Sequence, residues 1–180
     1  MKRVCGEQAG GSALPNRPPI GEWAQEEAWR EEALGSLEEA NAAVGVARAF
    51  LTNSWVNEVL EQVQNRLFAL SAFFSQEHGG QPLGVGPDAV DQLQRWLEAA
   101  DRDLFPVRNF VIPTGVPAAA LLHWARTVVR RAARRVQALE RDDPELAVAV
   151  DYLNRLADLI FALARKMNYE QGIGDIIASW

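Results

Sequence analysis

The sequence predicts an all-α protein, a single bundle of five helices, and three observations carry that prediction. Apolar residues recur at intervals of three and four in five separate segments, the spacing of one helix face. Alternation with a period of two, the mark of a half-buried strand, is absent. Glycine and proline concentrate between the segments, and 180 residues with 48% apolar and 23% charged side chains suffice for one sizeable core.

Residues 1–20, which close on "GGSALPNRPPI", are rich in Gly, Pro and small polar residues without a period, and read as a flexible arm ahead of a helical domain over 21–180. The first helix is expected over about 24–52, with Leu34, Leu37, Val44 and Leu51 on one side. The second, about 54–78, carries Val56, Val59, Val63, Leu67, Leu70 and Phe74 before "HGGQPLGVGPD" ends it. Asp88 is expected to cap a short third helix with Val90, Leu93, Leu97 and Ala100. "FPVRNFVIPTGVP", residues 105–117, cannot be regular helix, because its prolines lack donors and its glycine invites a turn. The fourth helix, about 117–141, has the stripe Leu122, Ala125, Val129, Ala132, Val136 and Leu139; the fifth, about 144–168, has Leu146, Val150, Leu153, Leu156, Ile160 and Leu163.

A formal net charge of -6 argues against broad nucleic-acid or anionic-membrane binding, since both depend on a net positive field. One cysteine, Cys5, excludes an internal disulfide framework. The start "MKRVCGEQAGG" leads into no apolar run, so neither a secretory signal nor a membrane span is expected, and the cytoplasm is the expected location.

Against that acidic total, "HWARTVVRRAARRV", residues 123–136, holds five arginines. On a helix, Arg126, Arg130 and Arg134 form one row beside the apolar stripe, and Arg131 and Arg135 form a second. Such rows are either a solvated face neutralised by glutamates of neighbouring helices, or an anion site or ionic subunit interface, for which the guanidinium fork is suited.

The run "NFVIPTGVPAAALLHWARTVVRRAARRVQAL", residues 109–139, followed by "YLNRLADLIFALAR", residues 152–165, resembles the PduO-type ATP:corrinoid adenosyltransferases. That family has a phenylalanine before a Pro-Gly turn, then "A-L-H-x-A-R-T", "R-R-A-E-R" and "L-N-R-L-S-D". "EALGSLEEANAAVGVARAF", residues 32–50, is similar to its "V-D-E-L-N" helix, so the resemblance spans about residues 21–180. It implies a five-helix bundle assembled as a homotrimer, with ATP and cobalamin in clefts between subunits. The implied reaction moves the 5′-deoxyadenosyl group of ATP onto cob(I)alamin and releases triphosphate, with Mg²⁺ on the phosphates.

Residue by residue, the resemblance makes Phe110 the wall that displaces the lower axial ligand of cobalt; otherwise Phe110 is a loop anchor in the core. Arg126 is matched to an arginine that pairs with a carboxylate of the adjacent subunit, and Glu38 holds the acidic position. Arg130 is matched to an arginine on ATP phosphate. Asn154, Arg155 and Asp158 fall on the "N-R-L-S-D" positions near the nucleotide and the interface, or else form a polar network between helices. His123 sits at the family's histidine and is expected to be structural.

The nucleotide side departs from the family. Where the family has the phosphate loop "T-G-D-x-G-x-T", residues 10–16 read "GGSALPN", leaving a glycine and Ser12. Glu26 stands where a lysine faces the triphosphate, and Ala133 replaces the "R-R-A-E-R" glutamate. Three functions stay open: an adenosyltransferase whose missing donors come from Arg17 or the arm, a binding protein for a corrinoid or similar flat ligand, and an enzyme reusing the cleft for another small molecule. Trp23, Trp29, Trp124 and Trp180 exceed the family's usual number and are candidates for reshaping that cleft or for packing.

Overall fold

The computed structural model describes residues 20–75, 83–140 and 143–179, with side chains from residue 24 onward. The arm expected over 1–20 lies almost wholly outside the described residues, as do the side chains of Trp23 and Trp180. Five helices form, α1 (Ile20–Arg48), α2 (Ser54–Phe74), α3 (Pro87–Asp101), α4 (Pro117–Gln137) and α5 (Pro144–Glu170). Among the described residues there is no strand, only an isolated antiparallel bridge between Val111 and Ile177.

The helix ends shift for local reasons. Asn53 caps α2 by accepting from the Val56 amide at 2.9 Å, and Asp143 caps α5 by accepting from Glu145 at 2.9 Å, just ahead of Pro144. Asp88 does not cap α3: Gly86 holds the extended cap position, Pro87 begins the helix, and Asp88 sits inside the first turn, where a carboxylate favours the helix dipole. α1 begins four residues before the expected 24 and stops at Arg48 instead of 52. The Arg48 guanidinium folds across the corner to Asn57 at 2.9 Å, Gln64 at 2.7 Å and Glu61 at 3.0 Å. α2 closes at Phe74 rather than 78, α4 at Gln137 rather than 141, and α5 runs on to Glu170.

α4 and α5 pack along their lengths, α1 lies on α4, α3 on α5, and α2 on α1. Every stripe residue expected on α2, α4 and α5 is buried, and on α1 and α3 Leu37, Val44, Leu93 and Ala100 are buried while Leu34, Leu51, Val90 and Leu97 are partly so. Each fully buried Leu of α5, such as Leu153 or Leu156, contributes about 1.5–3 kcal/mol relative to exposure, so α5 is the spine of the bundle. No described helix is long and apolar enough to cross a membrane.

Candidate functional site

The connection between α3 and α4 is irregular in sequence but tightly held. Asn168, near the end of α5, donates to the Thr114 carbonyl at 2.9 Å and accepts from the Val116 amide at 3.0 Å. Gly115 lies between those two bonds at a φ of 120°, which L side chains adopt only with strain. Ahead of that turn, the Ile112 amide donates to the Ile176 carbonyl at 2.8 Å and Ala178 donates to the Phe110 carbonyl at 2.9 Å. The loop backbone is thus fixed while the Phe110 residue is 74% exposed. The alternative that Phe110 anchors the loop in the core is overturned, and exposed Phe105, Val107 and Ile112 extend an apolar surface along the same loop.

The two arginine rows of α4 separate. Arg131 pairs with Glu39 and Arg135 with Glu32 at 3.4 Å, both on α1, so that row is the neutralised solvated face. Arg130 and Arg134 are exposed and have no ion pair among the described residues. Arg126 is partly buried, its Nε lacks a hydrogen-bond partner among the described residues, and its guanidinium lies 5.0 Å from the centre of the Phe161 ring. Burial, then the neighbouring Arg130, depresses the Arg126 pKa, and the Asp158 carboxylate opposes the change. Arg126, Arg130 and Asp158 therefore form one electrostatic group, positive in balance, on the α4–α5 face.

Phe161 is the centre of a stack. His123 packs against it at 5.8 Å between ring centroids, and Arg165 lies 5.8 Å from its centre on α5. Arg165, only 5% exposed, grips Asp175 through Nε at 3.0 and 3.1 Å and Nη2 at 2.8 Å, and donates to the Phe105 carbonyl at 2.6 Å. Asp101, at the end of α3, stands 3.6 Å from Nη1.

His123 is 3% exposed, and its Nε2 has no hydrogen-bond partner among the described residues. Burial first and Arg126 second lower its pKa from the ordinary 6.5, with Asp175 opposing, so it is neutral at pH 7. The unfolded chain then binds a proton that the folded chain resists. Stability is expected to be full above pH 6.5 and to fall as pH drops below it toward the lowered folded value; His123→Gln should remove that part of the acid sensitivity in thermal melts.

The remaining expected site residues are dispersed. Asn154, Arg155 and Asp158 are all exposed on α5. Arg155 turns toward α3, donating to Gln94 at 3.0 Å, and lies 3.7 Å from Asp151, while Asp158 faces Arg126. Glu38 is exposed on α1 with no ion pair among the described residues, beside the engaged Glu39. Glu26 lies 3.9 Å from Arg30 on its own helix. Ala133 is 3% exposed, so a carboxylate at that position would be desolvated. Trp124 is 46% exposed on α4, whereas Trp29 is partly buried against the core. Among the described residues there is no group of three or more His, Cys, Asp or Glu side chains that could hold a metal ion.

Sequence reasoning misses Arg165, Asn168 and Asp175. A signal for the first two is the row Asp158, Phe161, Arg165 and Asn168 on α5, which sets polar groups beside an apolar stripe, whereas Asp175 lies beyond the helix.

Comparison with known proteins matches residues 20–167 to the cobalamin adenosyltransferase family model. The chain is 39% identical over 152 residues to the corrinoid adenosyltransferase of Mycobacterium tuberculosis, covering 81% of this chain and 77% of that protein. To the corrinoid adenosyltransferase of Bacillus subtilis it is 32% identical over 161 residues, covering 87% and 83%. A variant PduO-type ATP:corrinoid adenosyltransferase from Lactobacillus reuteri, solved in complex with cobalamin and ATP, superposes with a TM-score of 0.74 at 26% identity, over 84% of this chain and 87% of that one.

Proposed function

The chain belongs to the cobalamin adenosyltransferase family, and on that premise we propose that it holds a corrinoid against Phe110 in a cleft between subunits, with adenosyl transfer from ATP slow or lost. The observation that carries the reading is the 74% exposed Phe110 on a loop whose backbone is pinned on both sides. A rigidly presented aromatic is suited to a flat ligand, because little ordering remains to be done on binding. The solved Lactobacillus reuteri relative contains cobalamin and ATP, which supports the same ligand class here.

The cleft requires a second copy, and a homotrimer is the assembly proposed. Among the described residues Arg126 has a buried Nε without a hydrogen-bond partner and Glu38 an exposed carboxylate without an ion pair, so pairing across the interface would satisfy both. Arg130, with Arg134 behind it, is left to meet anionic ligand oxygens, and Asp158 borders that face. This row supports a second property, weak binding of nucleotide or a smaller anion, independent of turnover. Mg²⁺ would arrive on the phosphates themselves.

Anaerobic titration with cob(II)alamin tests the reading. The wild-type protein should bind and shift the cobalt spectrum, and Phe110→Ala should weaken binding about 10-fold or more, as truncation of a buried aromatic anchor does. A wild-type protein that neither binds cob(II)alamin nor alters its spectrum would pass the cleft to an unrelated small molecule.

A further inference from the structure

Beyond the end of α5 the chain turns at Gly172, where φ is 70°, and residues 175–178 run back alongside the Phe110 loop. Two backbone hydrogen bonds join these segments, Ile112 to Ile176 and Ala178 to Phe110, around the bridge between Val111 and Ile177. A two-stranded pairing this short is marginal in water and free to slip, and a slip of one residue would turn every side chain over. Something must set its register. Asp175 directly precedes the pairing, and its carboxylate takes three hydrogen bonds from Arg165. The same guanidinium holds the Phe105 carbonyl at 2.6 Å, five residues ahead of Phe110. Arg165 therefore fixes both the tail and the start of the loop to α5.

We propose that Asp175 is a positioning residue for Phe110: clasped by Arg165, it sets the register of the tail, and the tail holds the loop backbone that presents the Phe110 ring. The ring's role toward a corrinoid rests on the function proposed above, whereas the clasp itself does not. Asp175 never touches the ligand in this scheme. Its charge is what keeps the nearly buried guanidinium in place.

The test compares Asp175→Asn, Asp175→Glu and Asn57→Ala in the full-length protein. Asn57→Ala removes one bond from the distant Arg48 corner and serves as a matched destabilisation. By amide hydrogen exchange, Asp175→Asn should speed exchange at Ile112 and Ala178 about 10-fold or more, with Asn57→Ala leaving these two amides protected. Unchanged exchange in Asp175→Asn overturns the clasp whatever the corrinoid does. With cob(II)alamin as the probe, Asp175→Asn should lose the spectral change shown by wild type, and Asp175→Glu should recover part of it while Asn57→Ala keeps it. A wild-type spectral change that survives in Asp175→Asn despite faster exchange overturns the positioning role. If wild type binds no cob(II)alamin, the proposed function fails and takes the positioning role with it, and the exchange result alone decides the clasp.

Discussion

Mixed with chemically reduced cob(I)alamin and Mg-ATP, the protein is expected to form adenosylcobalamin at least about 10²-fold more slowly than a restored version of itself, one carrying "T-G-D-x-G-x-T" at positions 10–16 together with Glu26→Lys. The leaving triphosphate gains charge as the bond from its oxygen to the ribose carbon breaks, and backbone donors aimed at that charge lower the barrier. Removing one such donor costs about 10²–10³ in rate, and "GGSALPN" retains only a glycine and Ser12 of the loop. Residues 10–16 lie outside the described residues. Glu26 adds a carboxylate where the resemblance places a lysine, and its contact with Arg30, at 3.9 Å between partly exposed groups, screens that charge weakly. The row of Arg126, Arg130 and Arg134 works in the other direction, since Arg130 and Arg134 are exposed cations without an ion pair among the described residues. Such a row binds ground state and transition state alike, which improves affinity without raising turnover. Formation of the light-sensitive product at the same rate in the wild-type and restored proteins would show that other groups supply the missing donors.

The five helices were legible because their stripes are long and strictly spaced, and burial of the Leu, Val and Ile positions on α4 and α5 follows from that spacing alone. Their ends were less legible. Asp88 resembles a cap in sequence, but Pro87 is already a good first helical residue, and Gly86 takes the extended conformation at no steric cost. The five arginines illustrate a sharper limit. Periodicity sorts them correctly into two rows, yet only the packing of α1 on α4 reveals that Glu32 and Glu39 neutralise one row and leave the other. Phe110 could equally have been a core residue, and its exposure depends on hydrogen bonds to Ile176, Ala178 and Asn168 that no local pattern encodes. Arg165 was least visible, because an arginine near a helix end is ordinarily solvated. Its burial is made tolerable by Asp175, ten positions away beyond the end of α5.

Gly115→Ala is expected to destabilise the protein by about 2–5 kcal/mol, far more than a single added methyl would on a surface loop. Two effects combine. A side chain at a φ of 120° carries backbone strain of about 1–3 kcal/mol. The new Cβ would also overlap the Asn168 carboxamide, which must then release the Thr114 carbonyl, the Val116 amide, or both, at about 1 kcal/mol each. For a domain of this size the melting temperature should fall by roughly 5–15 °C. The two effects separate in a double-mutant cycle, since the overlap exists only while Asn168 is present. Asn168→Ala removes the obstacle, so Gly115→Ala should cost distinctly less in that background, leaving chiefly the strain. Strictly additive losses would mean that the carboxamide swings aside without cost and that strain alone governs this turn. Because the Val116 amide begins the approach to α4 and Phe110 lies five residues ahead of Gly115, the same substitution should also blunt the cob(II)alamin response before the protein melts. A variant with a lowered melting temperature but an unaltered cobalt spectrum at 20 °C would place the control of Phe110 on the tail side of the loop, with Ile176 and Ala178, and not on the Asn168 side.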